Sequence, residues 1–320
     1  MRALALVLLS SAGGCHCRPD LPDPPDHTDE TDTPPHSAQT ADTAVAGPCE
    51  VPEVEPNETP ATAVALPMEL HACGTFDPAG DLDLWRFELD QDAWLLTRLQ
   101  AADGSIADPN LLLTAVGDTW AAARSDDPES LDVTLVFPAP AGTYQLTTSE
   151  QLFRGGERYT YDLVVSETKA PVTWTREETE PNDAQAAAET VAAGDVVFGT
   201  MSGNGPLPDY DWFKIAIPPG KHTLTLDVTA YDEGSSANLT LYLFDDALGF
   251  LPEGCRDGCP ANDLGCVECA IEGGIRGVEL DPHGEYVSPG GEVVWIQVLE
   301  TVSREGPANW YVLEIGLEGS

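Results

Sequence analysis

The chain has 320 residues, with 14 Lys and Arg against 55 Asp and Glu, which gives a formal net charge of −41. This charge excludes nucleic acid as a partner, because binding to phosphate requires a surface of Lys and Arg. The length allows two domains, and a hydrophobic fraction of 42% is sufficient for packed cores.

The N-terminus has the features of an export signal. Arg2 precedes a short apolar run, and small residues lead up to Cys15. The run is too short to span a membrane. Small residues directly before a cysteine resemble the bacterial lipoprotein signal, so residues 1–14 are predicted to be removed and Cys15 to be lipidated; an ordinary secretory signal is the alternative. His16 follows in place of an Asp, which by resemblance favours the outer membrane or cell surface.

Residues 15–48 are predicted to be a disordered acidic tether. They are rich in Pro, Thr and acidic residues. Such a segment cannot bury enough apolar surface to offset the entropy of ordering it. Proline and like charges extend the chain. His27 and His36 are interpreted as spacer residues, and the fate of Cys17 is left open.

A short acidic motif then occurs twice. Each copy contains, in the same order, Glu-x-Glu-Pro-Asn with one further acid, a Gly-Thr pair, and Asp-x-Asp at the start of an aromatic-containing strand. The second copy begins at Glu178, 125 residues after Glu53. Because order and content match, the motif marks an internal repeat. The period is long enough for two tandem domains.

Both repeats are predicted to be all-β. Apolar residues alternate in short runs, such as Val133, Leu135 and Phe137, as in half-buried strands. The run 111–113 is interpreted as a fully buried core strand, and the Ala-rich segment 183–190 as one or two helical turns. The predicted domain boundaries are a first β-sandwich at 49–167, a linker at 168–176 and a second β-sandwich at 177–320.

The cysteines after the tether fall into two groups. Cys49 and Cys73 flank the first acidic motif, and a disulfide is the default for an exported chain. The other four lie in an insertion at about 252–272 of the second repeat, where two disulfides are expected and a four-thiolate zinc site is the alternative. Their connectivity is open, because three pairings are possible. These four are Cys255, Cys259, Cys266 and Cys269.

The paired acids point to a cation. In an extended chain residues i and i+2 face the same side, so each Glu-x-Glu and each Asp-x-Asp places two carboxylates together. Two such charges about 4 Å apart repel by roughly 4 kcal/mol at an effective dielectric of 20. Ca²⁺ takes six to eight oxygen ligands and would offset this repulsion. The alternative is a solvated acidic face.

These residues resemble the bacterial pre-peptidase C-terminal domain, which is related to the collagen-binding domains of clostridial collagenases. The resemblance covers about 50–167 and 175–318. It implies secreted, jelly-roll-like β-sandwiches that are often appended to proteases and that bind calcium. By position it implies as ligands Glu53, Glu55, Asn57, Glu58, Asp81 and Asp83 in the first repeat, and Glu178, Glu180, Asn182, Asp183, Asp209 and Asp211 in the second.

The sequence lacks the motifs His-Glu-x-x-His and Gly-x-Ser-x-Gly, so no catalytic residue is predicted. We therefore expect a surface-anchored, calcium-stabilised and non-catalytic binding or adhesion lipoprotein. Its ligand would be an extracellular polysaccharide or protein, with membrane contact through the lipid anchor alone. A spacer or accessory subunit of an exported hydrolase or protease is the alternative, and an enzyme with an unrecognised site is a third hypothesis.

Overall fold

The computed structural model describes residues 47–118, 121–124, 132–202, 209–249, 251, 270–272, 281–300 and 306–319. The predicted signal peptide, lipidated Cys15 and most of the tether lie outside these residues. So do the four cysteines at positions 255, 259, 266 and 269. Among the described residues, no helix has the length and apolar character needed to cross a membrane.

The first repeat forms two five-stranded sheets. Its strands are β1 (Val51–Pro52), β2 (Val64–Ala65), β3 (Ala72–Thr75), β4 (Leu82–Leu89), β5 (Ala93–Ala101), β6 (Pro109–Ala115), β7 (Ala121–Arg124), β8 (Val133–Ala139), β9 (Gly142–Glu150) and β10 (Thr160–Thr168). One sheet has the order β1-β3-β10-β5-β8 and the other β2-β4-β9-β6-β7.

The second repeat also forms two five-stranded sheets. Its strands are β11 (Arg176–Glu177), β12 (Glu189–Thr190), β13 (Val196–Thr200), β14 (Tyr210–Ala216), β15 (Pro219–Thr229), β16 (Leu239–Phe244), β17 (Ala270–Glu272), β18 (His283–Gly290), β19 (Val293–Glu300) and β20 (Trp310–Gly319). The sheets have the orders β11-β13-β20-β15-β18 and β12-β14-β19-β16-β17.

Strand by strand, the two repeats have the same topology. Each sheet order of the second repeat follows from the first by adding ten to every strand number. Within each repeat, alternate residues of the strands are buried, which is the pattern of a sheet with one face on a core. The predicted all-β class, with two tandem β-sandwiches, is confirmed.

One local prediction needs correction. Leu111 and Leu113 of β6 are buried, but Leu112 is 40% exposed, because successive side chains of a strand point to opposite faces. The three leucines therefore belong to a half-buried strand. In the Ala-rich segment the predicted helical turn is present, as a single 3-10 turn at Gln185–Ala187.

Aromatic side chains join the two sandwiches. The ring of Trp94, on β5, lies 6.3 Å from Trp174, 6.0 Å from Phe198 and 5.5 Å from Trp310. The indole N–H of Trp310 donates to the backbone carbonyl of Val136 on β8 at 2.6 Å. Trp174 lies in the predicted linker, so part of that segment packs into the junction. Residues Ala44–Ser320 accordingly form one compact unit.

Candidate metal centre

The first acidic pair of each motif is positioned by the Gly-Thr pair. Glu53 follows β1, and its Oε1 accepts the backbone N–H of Thr75 at 2.9 Å. Glu178 follows β11 and accepts the N–H of Thr200 at 2.6 Å. Because β1 pairs with β3 and β11 with β13, the sheet brings each Gly-Thr pair beside its glutamate.

The glycine of each pair allows a close approach to a tyrosine. A Cβ on Gly74 would lie 2.3 Å from Oε2 of Glu53 and 2.3 Å from the hydroxyl of Tyr161. A Cβ on Gly199 would lie 2.3 Å from Cζ of Tyr311. Glycine is therefore required here for space rather than for a left-handed backbone.

The remainder of the motif folds back onto the Asp-x-Asp strand. Oε2 of Glu55 accepts the backbone N–H of Asn57 at 3.0 Å, and the carbonyl of Asn57 accepts the N–H of Leu84 on β4. The second repeat has the same two contacts, from Glu180 to Asn182 at 3.0 Å and from Asn182 to Trp212 on β14. These contacts bring the two acidic stretches of each repeat together.

The structure gathers three carboxylates of each repeat around one point. One carboxylate oxygen from each member of the group lies within 4.8 Å of the others. The groups are Glu53, Glu55 and Asp83 in the first repeat, and Glu178, Glu180 and Asp211 in the second. The two sets occupy equivalent positions in the two sandwiches.

Buried oxygen atoms in these groups lack hydrogen-bond partners among the described residues. Asp83 is 0% exposed, and neither of its carboxylate oxygens forms a hydrogen bond of good geometry, although Tyr161 and Asn57 lie close enough to lower its pKa. A hydrogen bond of good geometry is also absent for Oδ1 of Asp211, and for the side-chain oxygens of the fully buried Asn57 and Asn182. Leaving a buried polar group unsatisfied costs about 1–3 kcal/mol, and more for a charged group. A cation coordinated by these oxygens would remove that cost.

The second repeat has a further acidic group. Glu180 also lies with Asp183 and Asp209 in a three-carboxylate arrangement. In the first repeat Glu58 is exposed and Asp81 accepts the backbone N–H groups of its own loop, from Asp77 and Leu82. Among the described residues, neither Glu58 nor Asp81 joins a three-carboxylate group. The repeats therefore share one candidate site, and the second repeat has one more.

Tyr161 and Tyr311 belong to the site as well, although the sequence motif does not contain them. The hydroxyl of Tyr311 donates to Glu178 at 2.9 Å and lies 2.7 Å from Oδ2 of Asp211. The hydroxyl of Tyr161 accepts the indole N–H of Trp85 at 3.1 Å. The signal in the sequence was their equivalent place in the last strand of each repeat.

Burial and mutual repulsion raise the pKa values of these acids. Burial is the first cause and neighbouring carboxylates add to it, raising the pKa of Glu53 and of Asp83 to about 7. The pKa of Glu178 is raised to about 7 by burial and by Glu180. Burial and Glu178 raise the pKa of Asp211 well above its ordinary value. Without a cation, the ionised forms are therefore disfavoured.

A disulfide connects the strands beside the first site. The predicted bond between Cys49 and Cys73 is present, with 5.8 Å between the Cα atoms. It joins the residues before β1 to β3, directly next to Gly74. It therefore limits the separation of the two segments that carry Glu53 and Thr75.

Comparisons with known proteins give distant similarities only. No protein-family model matches the chain. No curated protein matches it. Among solved structures, the chain is similar to the pre-peptidase C-terminal domain of a Bacillus anthracis collagenase, at 18% identity and a TM-score of 0.29, over 35% of this chain and 99% of that one. Tandem CBM51 modules of a Streptococcus pneumoniae family 98 glycoside hydrolase share 8% identity at a TM-score of 0.25, over 74% of this chain and 81% of that one.

Proposed function

We propose that the chain is a calcium-stabilised, non-catalytic binding module built from two pre-peptidase C-terminal-like β-sandwiches. The observation that carries the calcium proposal is the fully buried Asp83, which lies within a group of three carboxylates and forms no hydrogen bond of good geometry. An equivalent group surrounds Asp211 in the second repeat. Carboxylate and amide oxygens are the ligands that Ca²⁺ takes.

Each repeat would hold a cation with the oxygens of its three-carboxylate group, assisted by the buried asparagine. In the first repeat these are Glu53, Glu55 and Asp83 with Asn57. A bound cation stabilises the ionised carboxylates that burial otherwise disfavours. It also links the motif to the Asp-x-Asp strand, so calcium binding stabilises the sandwich itself.

The additional group in the second repeat supports a stronger response to calcium there. Glu180 is shared between its two carboxylate groups. A carboxylate that bridges two cations places negative charge between them. This reduces their mutual repulsion, so two cations can lie close together. We therefore propose that the second sandwich binds more calcium than the first.

We propose further that the protein is exported and anchored to the outer membrane or cell surface through Cys15. The support is the small-residue approach to Cys15 in the sequence. More than one acyl chain gives stable attachment. Cys15→Ser should release the protein from the membrane fraction, and a wild-type protein that is already soluble would refute the anchor. The anchored module would bind an extracellular polysaccharide or protein.

Calcium titration by isothermal calorimetry tests the binding proposal. We expect wild-type protein to bind calcium with dissociation constants of about 10⁻⁴ to 10⁻³ M. Glu180→Gln with Asp211→Asn should remove the sites of the second repeat and leave those of the first. The exposed Asp90→Asn serves as a control and should change nothing. Absence of calcium binding by the wild type would refute the proposal.

Sedimentation of calcium-loaded protein with insoluble polymers tests the binding role. The panel would contain cellulose, chitin, peptidoglycan and fibrillar collagen. Retention by one polymer, reduced by an excess of its soluble form, would identify the ligand class. No retention by any of them would contradict binding to these polymers and favour a protein ligand other than collagen.

A further inference from the structure

The two repeats use the same pair of loops in different ways. In the second repeat, the loop between β15 and β16 and residues 306–309 before β20 contact the first sandwich, through Gly234 on Val136 and through Ala308 in its core.

We call the equivalent surface of the first repeat, formed by residues 102–107 and 152–159, the free loop end. Its hydrogen bonds follow those of the docked loops, but its apolar side chains Ile106, Leu152 and Phe153 are exposed.

Matching hydrogen bonds show that the loops are equivalent. The hydroxyl of Ser105 donates to the carbonyl of Arg158 at 3.2 Å, and that of Ser235 donates to Ala308 at 3.2 Å. The preceding glycine, Gly104 or Gly234, has a left-handed φ of 79° or 95°. The residue after each serine also donates its N–H to the same carbonyl, from Ile106 and from Ser236.

The docked loops bind an edge strand. The carbonyl of Gly234 accepts the backbone N–H of Val136 on β8 at 2.8 Å. Two more carbonyls of the same loop, those of Tyr231 and Ser235, accept Nη1 of Arg124 at 2.9 and 2.6 Å. A Cβ on Gly234 would lie 2.8 Å from Cγ2 of Val136. This loop surface is therefore built to cover the edge of a neighbouring β-sandwich.

The free loop end carries larger apolar side chains than its docked counterpart. Ile106 is 42% exposed, whereas Ser236 in the equivalent position is fully buried. Leu152 and Phe153 are 65% and 64% exposed. Phe153 is the third residue after the end of β9. The third residue after the end of β19, the equivalent strand, is Ser303 in the sequence.

The exposed Phe153 is held in place rather than left loose. Its φ is 55°, a left-handed value that is uncommon for a bulky residue. The carboxylate of Glu150, only 1% exposed, accepts the N–H groups of Leu152 and Arg154 at 2.8 and 2.7 Å and forms an ion pair with the Arg154 side chain. A fixed loop that presents a Leu and a Phe to solvent is typical of a protein contact.

The second repeat has an edge strand, β18, that corresponds to β8. Val136 pairs with Leu96, and Glu285 pairs with the equivalent Thr225, so Glu285 takes the place of Val136. Glu285 is exposed and the nearby Val287 is 53% exposed.

Charge also favours this pairing. Arg158, exposed on the free loop end, takes the place of Ala308, which is buried in the contact between the repeats. Docking of a second copy would therefore bring an arginine to an edge that carries Glu285. The exposed apolar residues Ile106 and Phe153 would then lie at an edge that also exposes Val287.

We propose that the free loop end of the first repeat binds the β18 edge of a second copy of this chain. The contact continues, between molecules, the arrangement that already joins the two repeats. Because it is head-to-tail, each molecule can bind two others, which generates rings or open chains of molecules.

Sedimentation velocity in saturating calcium and physiological salt tests the proposal. The protein carries Cys15→Ser so that lipid does not drive association. We expect a weight-average mass that rises with concentration. Ile106→Ser with Phe153→Ser, which installs the serines of the second repeat, should weaken association roughly tenfold or more. Leu112→Ser with Val116→Ser removes two exposed apolar residues elsewhere and should have no effect.

Exchanging the charges of Arg158 and Glu285 tests whether the β18 edge is the surface that binds the free loop end. Arg158→Glu and Glu285→Arg should each weaken association, and their combination should restore it. A wild type that stays monomeric at every concentration would overturn the proposal. Association that is unchanged by Glu285→Arg, or not restored by the double exchange, would show that the β18 edge is not the binding partner.

Discussion

The buried aspartates Asp83 and Asp211 make the sharpest prediction at the scale of single residues. Asparagine has nearly the same shape but no charge. In calcium, Asp83→Asn with Asp211→Asn should lower the melting temperature relative to wild type, because ligands are lost. After calcium depletion the same variant should melt at or above the wild type, since two buried charges surrounded by other carboxylates are gone.

Differential scanning calorimetry with and without calcium measures both expected changes in melting temperature. Asp90→Asn, at an exposed position, should match the wild type in both conditions. A variant that is destabilised equally with and without calcium would assign these aspartates a purely structural role.

The raised pKa values predict how the calcium-free protein responds to pH. Folding raises the pKa of Glu53 from 4.5 to about 7, and that of Glu178 by the same amount, so the native state binds more protons than the unfolded state between these values. Stability should therefore fall as pH rises from about 4.5 to about 7. Thermal melts of calcium-depleted protein across this range should show a smaller fall for Glu53→Gln with Glu178→Gln than for the wild type.

At the scale of single residues, the sequence predicted which side chains close together in the chain share a face. Glu53 with Glu55, and Glu178 with Glu180, share a face because residues two apart do so in any extended chain. The contribution of Tyr311 was not visible, since its hydroxyl meets Asp211 across 100 residues of sequence. Likewise, the space-filling role of Gly74 depends on a tyrosine from another strand.

At the scale of elements, the Cys49–Cys73 disulfide ties the start of the first repeat to β3. Closing a loop with a sequence separation of 24 stabilises by roughly 3–4 kcal/mol in the chain-entropy model. Cys49→Ser with Cys73→Ser should therefore lower the free energy of unfolding by about this amount, measured by urea denaturation in calcium. The variant should also bind calcium more weakly in the first repeat. Unchanged stability would show that β1 and β3 hold together without the bond.

Alternation of apolar residues was enough to predict strands such as β8, because each sheet has one face on a core. It did not reveal the alternation of buried and exposed side chains in the run 111–113, because all three residues are leucine. Nor did it identify the packing of Trp174, which lies in a segment that reads as a linker. Its neighbours Trp94 and Phe198 belong to different repeats, and only the folded structure brings them together.

At the scale of the whole molecule, the junction predicts that the two sandwiches unfold together. Trp310 is fully buried and donates to Val136 across the junction. Trp310→Ala should cost about 3–5 kcal/mol, as expected for a large buried aromatic residue. Calorimetry should show one transition for wild type and two for the variant. The exposed Val287→Ala serves as a control, and a single unshifted transition for Trp310→Ala would contradict the coupling.

The central claim is that calcium stabilises this fold through its buried carboxylates, and thermal unfolding of the wild type tests it most directly. At tenfold excess over the dissociation constant, a site that binds only the native state adds roughly 1.4 kcal/mol. We expect melting in excess calcium to exceed melting in chelator by several degrees, with a larger difference in low salt than in high salt because salt screens carboxylate repulsion. Equal melting temperatures in calcium and in chelator at low salt would contradict the account and leave the acidic pairs as a solvated face.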